Sequence, residues 1–518
     1  MTRARRAAIT AGFAYAQYAM AIIPGLILVP LTWSHLGART YGLWLTTGEL
    51  LAYAAMVDPG VLGVLQWLIA EADGAGDRPA VRRLFSNGVA AGLVAGLGYV
   101  VVAAALWLVL PTALRLTPAD RALLGPPLAL IVVSTAVTYP LRAFRAALSG
   151  LQDVAFAGTL GMCEIGLGAV TVGGMLIAGY GVYALAWGAV VPSTLILLVS
   201  AVRLRHIAPD LLDSWQWPTA AGLGYLLRNG IGVWFGSFGW HLLSASSGIV
   251  IAFLGHPEWV PIYNCTAKTS NVSMQMGWVL PDSGLLGLAQ LHGERPRSPR
   301  LKQMVGALVQ LHLLLSGVAA CLVLAFNPTF VTWWVGGAAF GGVRLTVLLA
   351  AGIVLYSLIH GLTTAASVVG NRLQVGIITL VNGVLQLGLA VLFGRRWSLA
   401  GVAGAGLLAG AVTALPTTLY ILRKVGAVEA RGLAVDILVM WLPRAAGFIV
   451  LALFVGVFHE VLGPWVSGAL AALIGLMYLW QMRPLIRIMP LDPRWVDSLV
   501  SLKLIPPANP ATPAEPAA

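Results

Sequence analysis

The chain has 518 residues, of which 59% are hydrophobic and 10% are charged, and its mean hydropathy is +0.87. Because soluble proteins carry about 25% charged residues, this composition excludes a water-soluble globular protein and predicts one embedded in lipid. The formal net charge of +12 does not call for a nucleic-acid partner, since the basic residues cluster in loops between apolar segments.

Apolar runs of about 20 residues, the length of helix that crosses the hydrocarbon core of a bilayer, recur along the whole chain. They predict an all-α polytopic membrane protein with about fourteen transmembrane helices. The second, seventh and eighth runs are longer than one bilayer thickness, so we expect them to tilt, bend or extend past the membrane. The predicted spans are 8–33, 40–68, 84–110, 122–144, 154–178, 180–202, 222–254, 257–290, 302–326, 338–366, 374–394, 399–422, 434–458 and 463–482.

Lysine and arginine in the loops predict the orientation of these helices. Most of the basic residues collect in alternate loops, such as "DRPAVRR" and "ERPRSPRLK". Because cytoplasmic loops carry the basic excess, both termini are expected in the cytoplasm. The start "MTRARR" is basic like a signal peptide, but the apolar run after it is too long and has no evident cleavage site, so we expect it to be retained. Residues 485–518 are expected to form a cytoplasmic interfacial segment and a disordered tail rich in proline and alanine.

Several phrases of the sequence occur twice at nearly one offset. "DPGVLGVLQWL" at 58–68 is answered by "DSGLLGLAQLH" at 282–292, and "SGLQDV" and "GVYALAWG" have similar partners about 220 residues later. Six spans per copy keep both copies in the same orientation, so we predict two pseudo-symmetric lobes with a substrate site between them. The predicted division is an N-lobe at 1–205, a cytoplasmic linker at 206–221, a C-lobe at 222–424 and two extra helices at 425–484.

The eighth predicted span carries a polar stripe, because the spacing of its polar residues places them on one face of a helix. A charged side chain near the bilayer centre costs at least ~2.5 kcal/mol, so such residues usually face protein or a water-filled pathway. The stripe therefore predicts a substrate pathway, and the alternative is a seam of interhelical hydrogen bonds without a transport role. Its members are Asn264, Lys268, Asn271, Gln275 and Asp282.

Other charged residues also fall within predicted spans. Arg228 is too deep for a simple membrane anchor and is expected in the cavity, whereas Arg142 and Arg145 could bind substrate or anchor the cytoplasmic edge. Glu164 lies near the middle of the fifth span and requires a cationic partner or a proton. The repeated aspartates allow two interpretations, as coupling sites for H⁺ or Na⁺, or as helix-breaking caps beside a proline. They are Asp58 and Asp282.

The sequence lacks the short motifs of common enzymes. It has no "GK[ST]" phosphate loop, no HExxH, no CxxC and no GxSxG. We therefore expect neither catalysis nor a bound metal or other cofactor, apart from the coupling ion. His241, His312 and His360 stand alone in the sequence and are interpreted as packing residues rather than ligands.

Four segments of the chain resemble a known family. "LVPLTWSHLGARTYGLW", "DPGVLGVLQWLIAEADGAGD", "YPLRAFRAALSGLQD" and "WSLAGVAGAG" are similar, in this order, to the polysaccharide-transport branch of the multidrug/oligosaccharidyl-lipid/polysaccharide (MOP) flippase superfamily, which includes the Wzx-type O-antigen flippases. The likeness covers about residues 8–424. It implies two lobes around a cavity that opens alternately to either side of the bacterial cytoplasmic membrane.

The resemblance implies a flippase that moves an undecaprenyl-diphosphate-linked oligosaccharide to the outer leaflet for surface polysaccharide biosynthesis. The expected partners are this lipid-linked oligosaccharide, the bilayer, and a polysaccharide polymerase with its chain-length machinery. Two alternatives remain open. One is a cation-coupled multidrug exporter of the same superfamily, which deep acids would favour, and the other is a membrane scaffold of a glycan-polymerising complex.

Overall fold

The computed structural model describes residues 3–151, 153–282, 285, 288, 292 and 299–486. These residues form helices and turns, with no β-strand among them, which confirms the all-α prediction. Lipid offers no hydrogen-bond partners, so each spanning segment must satisfy its own backbone groups as a helix. The helices are α1 (Arg3–Ala54), α2 (Val61–Gly74), α3 (Arg78–Ala113), α4 (Pro118–Thr138), α5 (Arg142–Gly150), α6 (Val154–Ile177), α7 (Val182–Ile207), α8 (Asp210–Asp213), α9 (Ala220–Phe253), α10 (Trp259–Asp282), α11 (Pro299–Trp334), α12 (Val343–Val369), α13 (Arg372–Ala409), α14 (Leu415–Val425), α15 (Ala430–Val435), α16 (Leu442–Val457) and α17 (His459–Ile486).

Within the described chain, nine helical segments are long and apolar enough to cross a membrane, judged by length and composition. The bent pair Ile22–Val57 and Val61–Gly74, which contains the second predicted span and the end of the first, adds a tenth. The segment Leu373–Val425 contains two further predicted spans, the eleventh and twelfth. The seventh and eighth predicted spans are helical in α9 and α10, but their serine, asparagine and lysine residues keep them out of this apolar set. The chain is a multi-pass membrane protein.

Single residues, rather than loops, divide some of the long helices. Gly37 interrupts α1 with φ 71° and ψ 164°. Because glycine adopts positive φ without steric penalty, one residue reorients the chain where the sequence predicted a loop between two spans. Ser398 interrupts α13 with φ 53° and ψ −138°, close to the φ 55° and ψ −131° of Gly181 before α7. The same local turn therefore occurs once in each predicted lobe.

The described chain divides into two compact units, and this division differs from the predicted lobes. The helices of the seventh and eleventh predicted spans, α9 and α13, lie in the same unit as the N-terminal helices. The duplicated six-helix plan stays a prediction, and residues 487–518, with the predicted tail, lie outside the described residues. Unit 1 comprises Met1–Lys268, Val331–Gly341 and Arg372–Ala414, and unit 2 comprises Thr269–Phe330, Gly342–Asn371 and Leu415–Ala518.

Glycines bring α9 and α13 close together in unit 1. A Cβ atom at Gly239 would lie 2.5 Å from the backbone nitrogen of Leu380, and a Cβ at Gly376 would lie 3.2 Å from the nitrogen of Gly236. Small residues at such crossings let helix backbones approach in a membrane, where dispersion contacts rather than water drive association. The pair therefore forms a tightly packed core of unit 1.

Unit 1 also buries α2 against its neighbours. Leu65 and Ile69 on α2 are fully buried in one cluster with Phe85 of α3, Leu148 of α5 and Leu204 of α7. This packing fixes the direction of α2 after the chain bends by 51° between α1 and α2. The expectation that the second predicted run bends is thus met.

In unit 2 the two C-terminal helices pack on α11. The Tyr478 hydroxyl on α17 accepts a hydrogen bond from Trp441 Nε1 at 2.9 Å and donates one to the Leu313 carbonyl at 3.4 Å. Gly317 faces this tyrosine and Gly456 faces the backbone of Leu324, positions where a side chain would clash. The last two helices are therefore integral to unit 2.

Candidate functional site

The bend between α1 and α2 is built around Asp58. Its two carboxylate oxygens accept hydrogen bonds from the backbone nitrogens of Val61 and Leu62, at 2.9 and 3.2 Å. Such bonds satisfy donors that the first turn of a helix leaves unpaired. Gly60 has φ 81° and packs against the carbonyl of Gly230 on α9, so no side chain fits there. This geometry favours the cap interpretation of Asp58 over the coupling interpretation.

A cavity of about 420 Å³ lies beside this bend in unit 1. Trp234 lines this cavity and is fixed by two contacts. Its Nε1 donates a hydrogen bond to the Met56 carbonyl at 2.7 Å, and its ring stacks on Phe238 with 5.2 Å between centroids. Apolar and aromatic walls of this kind suit a hydrophobic ligand, or an organic cation that stacks on the rings. The lining residues are Tyr53, Met56, Val57, Pro59, Ile231, Trp234 and Phe238.

Glu49 on α1 is a partly buried carboxylate that the sequence analysis did not single out. Its Oε2 accepts a hydrogen bond from the Ile249 nitrogen at 3.1 Å, and it approaches α9 where Gly248 has no side chain. Tyr53, one helical turn on, hydrogen-bonds to the His241 carbonyl and to Ser246. Among the described residues no cation pairs with Glu49. The signal was present in the sequence, since this acid lies inside the predicted span 40–68.

The structure supplies a partner for Glu164. Arg145 Nη1 lies 2.9 Å from Glu164 Oε2, so the acid in the fifth predicted span is neutralised by a cation. Arg142 instead stacks on the Tyr139 ring, with 4.3 Å between the guanidinium carbon and the ring centroid. Of the two arginines predicted to bind substrate, Arg145 is already committed to an ion pair. Arg142 forms no ion pair or side-chain hydrogen bond among the described residues, so its guanidinium donors are available to a ligand.

Four of the five stripe residues on α10, all except Asp282, have no side-chain partner in the described part of the chain. Lys268 packs against α1, where a Cβ at Gly25 would lie 3.3 Å from its Nζ, but it forms no ion pair there. Asn264, Asn271 and Gln275 make no hydrogen bonds to described residues either. Arg228 on α9 is exposed and equally unpaired among them. These groups remain able to bind a polar ligand.

Asp282, the counterpart of Asp58 in the repeat, is used differently. In unit 2 its carboxylate hydrogen-bonds to His360 Nε2 at 3.0 Å. His312 lies next to this pair, with 5.7 Å between the two imidazole centroids. The fold thus brings His312 and His360 together from distant parts of the sequence, and their interpretation as packing residues rather than ligands stays a prediction.

We expect Asp58→Asn to fold and function nearly as the wild type, since an asparagine side chain also caps a helix N-terminus. Asp58→Ala leaves the two backbone donors unpaired and should lower the free energy of unfolding by about 1 kcal/mol. Thermal unfolding of the purified protein in detergent measures both effects. If Asp58→Asn removed the response of transport to an ion gradient while stability was unchanged, the charge rather than the cap would matter.

The whole chain was compared with known protein families, sequences and solved structures. No protein-family model matches the chain, and no curated protein sequence matches it. A solved inward-facing multidrug resistance MATE family transporter of the MOP superfamily has a TM-score of 0.66 and 15% identity, covering 79% of this chain and 94% of its own. The lipid II flippase MurJ, in an inward closed conformation, has a TM-score of 0.68 and 12% identity, covering 90% of this chain and 97% of its own. The chain therefore has the all-α fold of these MOP transporters.

Proposed function

We propose that this chain, which has the fold of the MOP-superfamily transporters, is a flippase for an undecaprenyl-diphosphate-linked oligosaccharide. It moves this lipid from the inner to the outer leaflet of a bacterial cytoplasmic membrane by alternating access, with both termini in the cytoplasm. The product would feed surface polysaccharide biosynthesis, and a polysaccharide polymerase would act next. The extent of the match to the lipid II flippase supports this proposal, since it covers 90% of the chain against 79% for the MATE transporter.

The proposal rests on two basic residues of α9 and α10 that form no ion pair among the described residues. Arg228 on α9 and Lys268 on α10 have no acidic partner among the described residues. A cation held near the bilayer core is unfavourable by a few kcal/mol, so its retention calls for an anionic ligand. A diphosphate offers several acceptor oxygens, and charge-assisted hydrogen bonds to them are roughly twice as strong as neutral ones.

The remaining stripe residues fit the sugar part of the same ligand. Asn264, Asn271 and Gln275 each carry an amide with both donor and acceptor groups, which is what hydroxyl-rich sugars require. The membrane potential would favour export, because two negative charges moved outward across 100 mV gain about 4.6 kcal/mol. The potential alone could thus drive transport.

One observation favours the alternative of a multidrug exporter. The cavity in unit 1 has aromatic walls formed by Tyr53, Trp234 and Phe238, and Glu49 lies one helical turn from Tyr53 without a cationic partner among the described residues. Aromatic faces and a nearby carboxylate bind organic cations. The third interpretation, a scaffold without transport, predicts no movement of either substrate.

Reconstituted vesicles test the proposal. We expect the purified chain to carry a fluorescent undecaprenyl-diphosphate oligosaccharide across the bilayer, measured as label exposed to a membrane-impermeant quencher. The same lipid with a monophosphate should move more slowly, because it offers fewer acceptor oxygens to the two cations. Transport of ethidium instead of the lipid would identify an organic-cation exporter, and movement of neither would support the scaffold.

A further inference from the structure

Three metal-ligating side chains meet inside unit 2, although they are far apart in the sequence. Asp282 ends α10, His312 lies within α11 and His360 lies within α12. One ligand atom from each residue lies within 4.8 Å of the other two. The function proposed above uses neither histidine.

His312 carries a buried ring nitrogen that can accept a ligand. Its side chain is only 2% exposed, and its Nδ1 hydrogen-bonds to the Leu308 carbonyl at 2.7 Å. That bond places the proton on Nδ1, so Nε2 carries a lone pair, and this buried atom has no hydrogen-bond partner among the residues that the structure describes. A buried polar atom left unsatisfied costs about 1–3 kcal/mol. A metal ion would use that lone pair.

His360 is held in a fixed orientation. The Trp278 indole stacks on its ring with 3.9 Å between centroids and an angle of 5°, and Trp278 is itself anchored through Nε1 to Ser357 at 3.0 Å. His360 Nε2 faces the Asp282 carboxylate. Gly361 gives His312 room, because a Cβ there would lie 2.7 Å from its Nδ1. The ring positions are thus set by their surroundings, as in many metal sites.

We propose that Asp282, His312 and His360 bind a divalent transition-metal ion of the zinc class. Two imidazole nitrogens and one carboxylate form a common Zn²⁺ ligand set, which leaves a fourth position for water. The ion would replace the hydrogen bond between His360 and Asp282 and would neutralise the carboxylate. Asp282, which is 35% exposed, is the most accessible of the three side chains.

The distances allow this with small movements. Ligand atoms about 2.1 Å from a tetrahedral ion lie about 3.4 Å from one another. The His360–Asp282 pair at 3.0 Å must open slightly, and the widest pair, within 4.8 Å, must close by at most about 1.4 Å. Rotation of the carboxylate, which is the most exposed ligand, can supply much of this. The bound ion would then link α10, α11 and α12.

The test is metal binding by the full chain, purified in detergent through a tag without histidine and stripped with a chelator. We expect one Zn²⁺ per chain by elemental analysis, and the visible absorption of tetrahedral Co²⁺ when cobalt is used as the probe. His312→Ala and His360→Ala should each weaken binding by more than about 100-fold, beyond the effect of losing an outer-shell partner alone. His206→Gln, which changes an exposed histidine at the end of α7, should bind as the wild type.

Thermal unfolding separates loss of the site from loss of the fold. Zn²⁺ should raise the unfolding midpoint of the wild type and of His206→Gln, because it binds only the folded chain, but it should not raise the midpoint of the two site variants. A wild type that binds no Zn²⁺ would overturn the proposal, as would Zn²⁺ binding that survives both alanine substitutions together. If the chain bound no metal and its unfolding midpoint changed with pH through protonation of His312 or His360, the cluster would be a proton site instead. None of these measurements depends on transport, so they stand apart from the proposed flippase activity.

Discussion

Replacing Lys268 with alanine is expected to abolish export of the lipid-linked oligosaccharide while leaving the amount of protein unchanged. Lys268 lies centrally on the polar stripe of α10 and has no ion pair among the residues that the structure describes. Its removal therefore breaks no ion pair among these residues, but it removes a positive charge that would bind the diphosphate. Hydrogen bonds to charged groups contribute about 1.5–3 kcal/mol each, so transport in vesicles should fall by at least about tenfold. The vesicle assay with the fluorescent diphosphate lipid measures this loss.

Two variants control for side effects of this change. Lys268→Arg keeps the charge and should retain part of the activity, although a guanidinium presents its donors in a different geometry. Lys302→Ala removes a lysine whose Nζ pairs with Glu429 at 2.6 Å outside the stripe, and it should transport normally. Full export by Lys268→Ala would exclude Lys268 from the substrate site, whereas equal losses in both alanine variants would indicate a general effect of lowered charge.

Glu49→Gln should remove the dependence of transport on a proton or sodium gradient. Glu49 lies in unit 1, and among the described residues its side chain accepts one hydrogen bond, from the Ile249 nitrogen. A carboxylate held in the membrane without a cationic partner is stabilised by binding H⁺ or Na⁺. Glutamine keeps the size and can accept the same bond, but it binds neither ion. We expect gradient-driven turnover to fall about tenfold or more, with movement driven by the membrane potential retained.

Matched acids make this result specific. Glu49→Asp keeps the charge on a shorter side chain and should retain part of the gradient response. Glu460→Gln changes an exposed glutamate at the start of α17 and should leave the response unaltered. If Glu49→Gln responded to the gradient as the wild type does, Glu49 would be a structural residue that orients α1 against α9.

The sequence leaves two interpretations of the repeated aspartates, as coupling sites or as helix-breaking caps, and the structure gives the two residues different partners. Both occur in the same phrase beside a proline, yet Asp58 binds the backbone of α2 and Asp282 binds an imidazole. A repeated phrase preserves the local chain path, but the partner of a side chain comes from elsewhere in the fold. His360 has no counterpart in the repeat as read from the sequence, so the two acids could not be distinguished.

The sequence by itself determined the class of protein. Apolar runs of bilayer length and scarce charge leave helices in lipid as the physical solution, and over the residues that the structure describes the predicted spans correspond to helices. One of its two interpretations of Asp58, a helix-breaking cap beside a proline, agrees with the bend between α1 and α2.

Only the tertiary structure decided which polar groups are free. Arg145 and Glu164 pair across 19 residues, and His312 and His360 meet from separate helices. Such contacts depend on how helices cross, and helix periodicity gives the face of each residue without saying which face it meets. Burial of Glu49 against Ile249, 200 residues away, follows from the same packing. Local hydrophobicity thus determines where the helices form, and the way the helices cross determines which polar side chains contact one another.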